Sequence, residues 1–418
     1  GYLVAVPFLV TLISVWFHKI PLRKLLLPYY AVIALLVAVV FVVDMGLYPF
    51  WGFKLDASVF LYLDSPEEAL ASVSVGFLLI RVLLMLVLSV LLVWLMLKVT
   101  PRKVKVVKNR FLATLAMLFI GGVLFVIIRG GVTESTTNVG QVYFSSNQFL
   151  NHSAVNPAFS LLSSMGKSKD FASEFNFFEE EKRAELFSGL YPVTDGDSIV
   201  QVLNTNRPNV LLILMEGFGG VFIEPLGGLP DVAPHLNRLS EEGVFFTNCY
   251  ANSFRTDRGT VCTLSGYLGL PTASVMKIPV KSRMLPALSE EMLKAGYATD
   301  FLYGGDINFT NMKSYLLSKG YQKLTADTDF SLAERTSNVW GVNDDITADW
   351  LLKQLKERTG EGRWFTTYLT LSSHEPFDVP YNRLEEKIPN AFAYTDECLG
   401  KLIDGLKQSE IWKDLLII

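Results

Sequence analysis

Four apolar runs constrain this chain more than any other feature: residues 2–17, about 25–47, about 74–98 and 111–128. Crossing a bilayer core takes ~20 consecutive apolar residues in a helix, and the last three runs reach that length. The first begins with the chain itself, without an initiator Met or a basic flank, so it reads as a truncated span rather than a signal peptide. Residues 1–129 are therefore expected to form an α-helical transmembrane bundle with four visible spans. Pro28, Asp44 and Arg81 fall within the spans, where such residues are tolerated near helix ends or against neighbouring helices.

Loop charge sets the orientation. HKIPLRK (18–24) and PRKVKVVKNR (101–110) are rich in Lys and Arg, whereas residues 48–72 carry one Lys against Asp56, Asp64, Glu67 and Glu68. Basic loops stay in the cytoplasm. The chain is thus expected to begin outside, with a further helix upstream if the natural N-terminus is cytoplasmic. Everything from residue 130 onward is expected to be extracytoplasmic. Residues 1–130 hold twelve Lys and Arg against five Asp and Glu, and the remainder twenty-five against thirty-six. An acidic exported part argues against nucleic acid as a partner. Cys249, Cys262 and Cys398 are too few and too scattered for a disulfide framework or a zinc site.

Residues 130–206 are polar and mixed, and read as a linker with one or two helices over the membrane face. From Pro208 the texture changes. NVLLILMEG reads as a buried strand, followed by a helix over about 234–242, a strand VFFTNCYA and a helix LPALSEEMLKAGY. A strand ATDFLYGG, a helix near 344–357, a strand WFTTYLTLS, a helix over about 391–408 and the start of a strand, DLLII, complete the series. Apolar strands alternating with helices predict a mostly parallel sheet covered on both faces, in a domain over 207–418. Ligands of such sheets lie at the carboxyl ends of strands. Glu216, Gly304–Asp306 and Ser372–His374 all follow strands.

Each of these residues has two readings. Glu216 either begins a surface loop or binds a hard cation. Thr256, in NSFRTDRGTVCTLSG, is either a helix N-cap or a nucleophile placed where a helix N-terminus attracts phosphate. A divalent ion on Glu216 would sharpen that hydroxyl. Arg255 and Arg258 are surface cations or clamps on phosphate oxygens. His374 is a packed residue or a phosphate-binding or proton-transfer group. Asp306 caps a loop or supports the site, and Asp344 or Asp345 caps the helix that WGVNDD begins.

Together NVLLILMEGF, SFRTDRGT, FLYGGDINFTNMKSYLLSKGY, WGVNDD, TLSSHEPF and AYTDECLGKLIDGL resemble the lipoteichoic acid synthase family. These are membrane-anchored phosphoglycerol transferases of the alkaline phosphatase/sulfatase superfamily. The resemblance implies a sulfatase-like domain in which Glu216 and Thr256 hold Mn²⁺ or Mg²⁺. Thr256 would attack phosphatidylglycerol, release diacylglycerol and pass glycerol phosphate to a glycan or glycolipid acceptor at the bacterial cell (inner) membrane. His374 matches the family's substrate-phosphate histidine. The family completes its metal site with an Asp-His pair after a later strand, so residues up to Ile418 are expected to hold only part of it. Where polymerising members carry a Trp and an Arg near the substrate glycerol, Phe309 and Asn311 stand here, which leaves the headgroup open.

An arylsulfatase would need Cys-x-Pro-x-Arg or its Ser equivalent, and Cys262 is followed by TLSG. Phosphoethanolamine transferases share the Thr and the topology but usually carry more cysteines. A transporter would want a polar stripe or paired broken helices. A non-catalytic binding domain on the same fold is the remaining alternative.

Overall fold

The computed structural model describes residues 2–57, 59–60, 74–104, 106–133, 135–166, 171–188, 201–358 and 362–418. Asp64, Glu67 and Glu68, part of the acidic loop read above, lie outside these. Helix α1 spans Ala5–Trp16, α2 Leu22–Trp51, α3 Val75–Val99 and α4 Arg110–Arg129. The last three are long and apolar enough to cross a membrane. Leu22, Leu26, Tyr30, Ala34, Ala38, Val42 and Gly46 form the buried stripe of α2 at four-residue spacing, and the small members let α3 approach closely. Tyr30 Oη lies 2.9 Å from Thr100 Oγ1, while a Cβ at Gly46 would sit 3.6 Å from the Phe77 ring. The two helices are therefore antiparallel, which brings both basic loops to one end. Asp44 is buried in α2, where it pairs with Lys54 and accepts from Leu55 N at 2.9 Å.

The linker carries α5 (Gln148–Ala154), α6 (Pro157–Met165) and α7 (Glu180–Ser188), more helices than the sequence predicts. Asn147 and Asn156 cap the first two through Phe149 N and Ala158 N, and Pro157 takes the first helical position of α6. The linker docks on the carboxyl-terminal end of α2 through His152 Nδ1, 3.0 Å from Tyr48 Oη. Burial, Arg283 and Lys54 push this imidazole down to about 4, with Asp44 acting oppositely. The unfolded chain takes up its proton near 6.5. The native state therefore keeps this stability above that pH and loses it as pH falls from 6.5 to about 4. Acidification across this window is expected to lower the thermal unfolding midpoint, and His152→Asn to flatten that slope. An unchanged slope in the variant would assign it to another group.

The remaining elements form one five-stranded sheet: β1 (Asn209–Leu214), β2 (Ala298–Tyr303), β3 (Lys323–Thr325), β4 (Trp364–Leu369) and β5 (Leu415–Ile417). Their order is β3-β2-β4-β1-β5 and every pairing is parallel. Side chains alternate between two cores. Val210, Leu212, Phe301 and Phe365 pack with Val261, Met276 and Tyr315 on one face. Leu211, Leu302, Trp364 and Tyr368 pack with Leu351, Leu399 and Leu402 on the other. The helices of seven or more residues are α8 (Pro234–Glu242), α9 (Thr256–Ser265), α10 (Leu288–Lys294), α11 (Met312–Ser318), α12 (Asp344–Lys356) and α13 (Lys387–Lys407). Coverage on both faces explains why the strands read as continuous apolar runs.

One expected strand is absent and one short strand was missed. VFFTNCYA (244–251) is not a strand: it is irregular, with Val244, Phe246 and Tyr250 exposed. β-branched and aromatic composition makes a strand only where a sheet edge accepts it, and this segment pairs with neither β3 nor β5. Conversely, β3 is only three residues long and passed unnoticed.

Candidate active site

Because β2, β4 and β1 are neighbours and parallel, their carboxyl ends lie side by side on one rim. The sequence after β4 supplies hydroxyls that hold the end of β1 there. Glu216 N donates to Thr370 Oγ1 at 2.8 Å, and Ser373 Oγ donates to Glu216 O at 2.6 Å. Gly217 then turns the chain with φ of 64°, a conformation that favours glycine.

Thr256 opens α9, and the N-cap position falls to Arg255, which makes no side-chain cap bond. The N-cap reading of Thr256 therefore gives way. Its hydroxyl donates instead to Glu216 Oε2 at 2.8 Å. Burial raises the Glu216 carboxyl above its ordinary range; the Thr256 bond and His374 oppose this, and Asp344 reinforces it.

The rim rests on Asp344. It does not cap α12, as expected from WGVNDD; Asn343 holds the cap position, without a side-chain bond, and Asp344 is the first helical residue. Buried, Asp344 accepts from Leu371 N at 2.8 Å, Ser372 N at 3.0 Å and Thr395 Oγ1 at 2.9 Å. A carboxylate turned inward to collect backbone N–H groups from another loop leaves no mark in helix patterning. Asp345 Oδ1 accepts from Ile346 N at 2.8 Å.

Two glycine loops cross beside it. Val342 N donates to Gly304 O at 2.9 Å, and a Cβ at Gly341 would stand 2.2 Å from that same oxygen. This approach places Trp340 against His374, ring centroids 4.7 Å apart, with its indole N–H donating to Glu375 O. Phe309 lies 6.1 Å from Trp340. Sequence reasoning missed Trp340 as a site group; a large aromatic inside a Gly-flanked polar loop was the available signal.

The other predicted residues are more dispersed. His374 Nδ1 is 2.9 Å from Glu375 O. Asp306 Oδ1 accepts from Asn308 N at 2.9 Å and Nδ2 at 3.0 Å, which is the loop-capping reading. Its charge still reaches the part-buried Tyr303 phenol, as does that of Glu216, and desolvation with both charges raises that phenol. Arg255 and Arg258 flank the Phe254 ring, each 5.6 Å from its centroid, and Arg258 donates to Pro271 O at 2.9 Å. Neither guanidinium bonds to the Glu216–Thr256 pair.

Glu216 and Thr256 present two hard oxygen donors, and among the described residues the only side-chain donor on the part-buried carboxylate is the Thr256 hydroxyl. Such donors fit an oxygen-liganded divalent ion like Mn²⁺ or Mg²⁺. They are fewer than it takes, and no cluster of three or more Asp, Glu, His or Cys side chains suited to a metal occurs among the described residues.

These features define a three-layer α/β protein with a carboxylate–threonine pair on its sheet's carboxyl rim, preceded by membrane-length helices. The chain belongs to the Sulfatase family, which residues 208–418 match. An ulvan-active sulfatase of Formosa agariphila is 31% identical over 128 residues, 27% of this chain and 21% of that protein. A Vibrio parahaemolyticus structure, described as a protein in the alkaline phosphatase superfamily, is 28% identical with a TM-score of 0.48, covering 51% of this chain and 53% of that one. The lipoteichoic acid synthase LtaP from Listeria monocytogenes is 18% identical with a TM-score of 0.46, covering 50% and 54%. The chain thus spans about a fifth of the curated relative's length and about half that of these solved chains.

Proposed function

We propose that this protein is a metal-dependent phospholipid headgroup transferase of the lipoteichoic acid synthase type. It moves glycerol phosphate from phosphatidylglycerol to a glycan or glycolipid hydroxyl outside the bacterial cell membrane. The observation that carries this reading is the 2.8 Å hydrogen bond from Thr256, at a helix N-terminus on the sheet rim, to the part-buried Glu216 carboxylate. That bond orients the Oγ lone pairs and points the hydroxyl proton at a base.

In this reading Thr256 Oγ attacks phosphorus, its proton leaves toward Glu216, and the bond to diacylglycerol breaks. Glu216 passes that proton to the departing diacylglycerol oxygen. The acceptor hydroxyl then attacks the phosphothreonyl phosphorus, the bond to Thr256 Oγ breaks, and the acceptor's proton returns to Thr256 Oγ. The first helical turn of α9 offers free N–H groups and a positive dipole end to the phosphate oxygens. His374 and Trp340 would flank the headgroup. A divalent ion held by Glu216 and Thr256 would supply charge to the phosphate oxygens and lower the pKa of the hydroxyl.

Asn311 is buried and bonded to Gly140 N and Met276 O, so it is spent on structure, and of the two residues only Phe309 stands beside Trp340. This favours testing ethanolamine beside glycerol. With full-length protein and labelled phosphatidylglycerol, diacylglycerol release is expected to vanish on chelation and return with Mn²⁺ or Mg²⁺. Undiminished release in chelator contradicts the metal-dependent reading; release from phosphatidylethanolamine alone replaces the donor.

A further inference from the structure

A cavity of about 210 Å³ lies away from the Glu216–Thr256 pair, where the carboxyl-terminal end of α2, the linker and the sheet domain meet. Among its described lining residues are three cations, Lys54, Lys277 and Arg283, against one carboxylate, Asp56. The partners of two of these cations sit behind the lining: Asp44 holds Lys54, and Asp257 is 3.4 Å from Lys277. Gln148 also lines the cavity, and its side-chain nitrogen is shielded from solvent without a hydrogen-bond partner. A buried donor left unpaired costs free energy and calls for an acceptor.

The cavity is built rather than incidental. Lys319, fully buried, donates to Arg283 O at 2.9 Å and Leu285 O at 2.6 Å, which fixes the loop that carries Arg283. The Arg283 guanidinium lies over the Phe53 ring, and Phe53 stacks on Trp51 with centroids 5.1 Å apart. Trp51 ends α2, and Tyr48 and Phe50 precede it. Aromatic residues at the end of a span mark headgroup depth. Phe149, Leu162 and Met284, each next in sequence to a lining residue, and Phe50, next to Trp51, expose apolar side chains, which suits contact with acyl chains.

We propose that this cavity binds the phosphodiester headgroup of an anionic membrane lipid, in a site separate from Glu216 and Thr256. Position gives the lipid, the cations and the Gln148 donor give the phosphate, and the enclosed volume gives one headgroup. The bound lipid would fasten the sheet domain to α2. Through Lys277 and its Asp257 partner it would also touch the first turn of the helix that carries Thr256.

The test titrates full-length protein in detergent with short-chain phosphatidylglycerol, short-chain phosphatidylcholine, soluble glycerol 3-phosphate or inorganic phosphate, reading the thermal midpoint. Short-chain phosphatidylglycerol is expected to bind at least ~10-fold more tightly than the others, the scale of one charge-assisted contact. Arg283→Gln and Gln148→Ala should each weaken it, and Gln148→Ala carries the test if the arginine variant does not fold. Thr256→Ala should leave it unchanged, so that loss of transfer and loss of this site are told apart. Unaltered affinity in the two cavity variants, or equal binding of phosphatidylcholine, overturns the proposal. Glycerol 3-phosphate or inorganic phosphate binding as tightly as the lipid would assign the cavity to a water-borne phosphate and overturn the lipid.

Discussion

Thr256→Ala is expected to lower diacylglycerol release by the full-length protein at least ~10⁴-fold, roughly 5.4 kcal/mol of barrier. The expectation follows from geometry. The hydroxyl is not spent on capping α9; it donates to Glu216 Oε2 at 2.8 Å. Removing it deletes the nucleophile while leaving Glu216 and the N–H groups of the helix, so substrate binding should survive where turnover does not. Thr256→Ser keeps the oxygen but frees its rotamer, and should retain measurable activity. If the alanine variant keeps more than a tenth of the release rate, Thr256 is not the nucleophile.

Asp344→Ala is expected to cost the most stability of any single change at the rim, about 3–5 kcal/mol. The substitution leaves Leu371 N, Ser372 N and the Thr395 hydroxyl without their acceptor inside the protein. The losses share one network and do not simply add. Since those two N–H groups belong to the loop that carries His374, activity should fall together with stability. Asp344→Asn should cost less: it removes a charge whose burial raises the carboxyl above its ordinary range, yet sets an amide donor against a backbone donor. The thermal midpoints of the three proteins, measured at one pH, order them. An alanine variant as stable as the parent would mean that the loop holds itself.

Much of this was legible in the sequence because apolar patterning is a local property. The membrane-length runs, β1, β2, β4 and their helices reach the structure nearly where they were read, and parallel order then brings Glu216, Asp306 and His374 to one rim. What could not be read depends on partners distant in the chain. VFFTNCYA has strand composition but no edge to join. Asp344 looks like a helix cap, and only the fold shows it collecting N–H groups from the β4 loop. Trp340 reaches His374 because Gly304 and Gly341 let two loops cross at a distance no side chain tolerates. The pairing of Thr256 with Glu216, forty residues apart, was expected from the resemblance and from the chemistry of a divalent ion on Glu216 sharpening a hydroxyl at a helix N-terminus; the local sequence also allowed an N-cap.

The most direct measurement is mass spectrometry of the Thr256 peptide after full-length protein is incubated with headgroup-labelled phospholipid and quenched before acceptor is added. A glycerophosphoryl group on Thr256, absent with chelator and discharged when acceptor is supplied, is the expected result. Continued diacylglycerol release with Thr256 unmodified, or a label that settles on another residue, would contradict it.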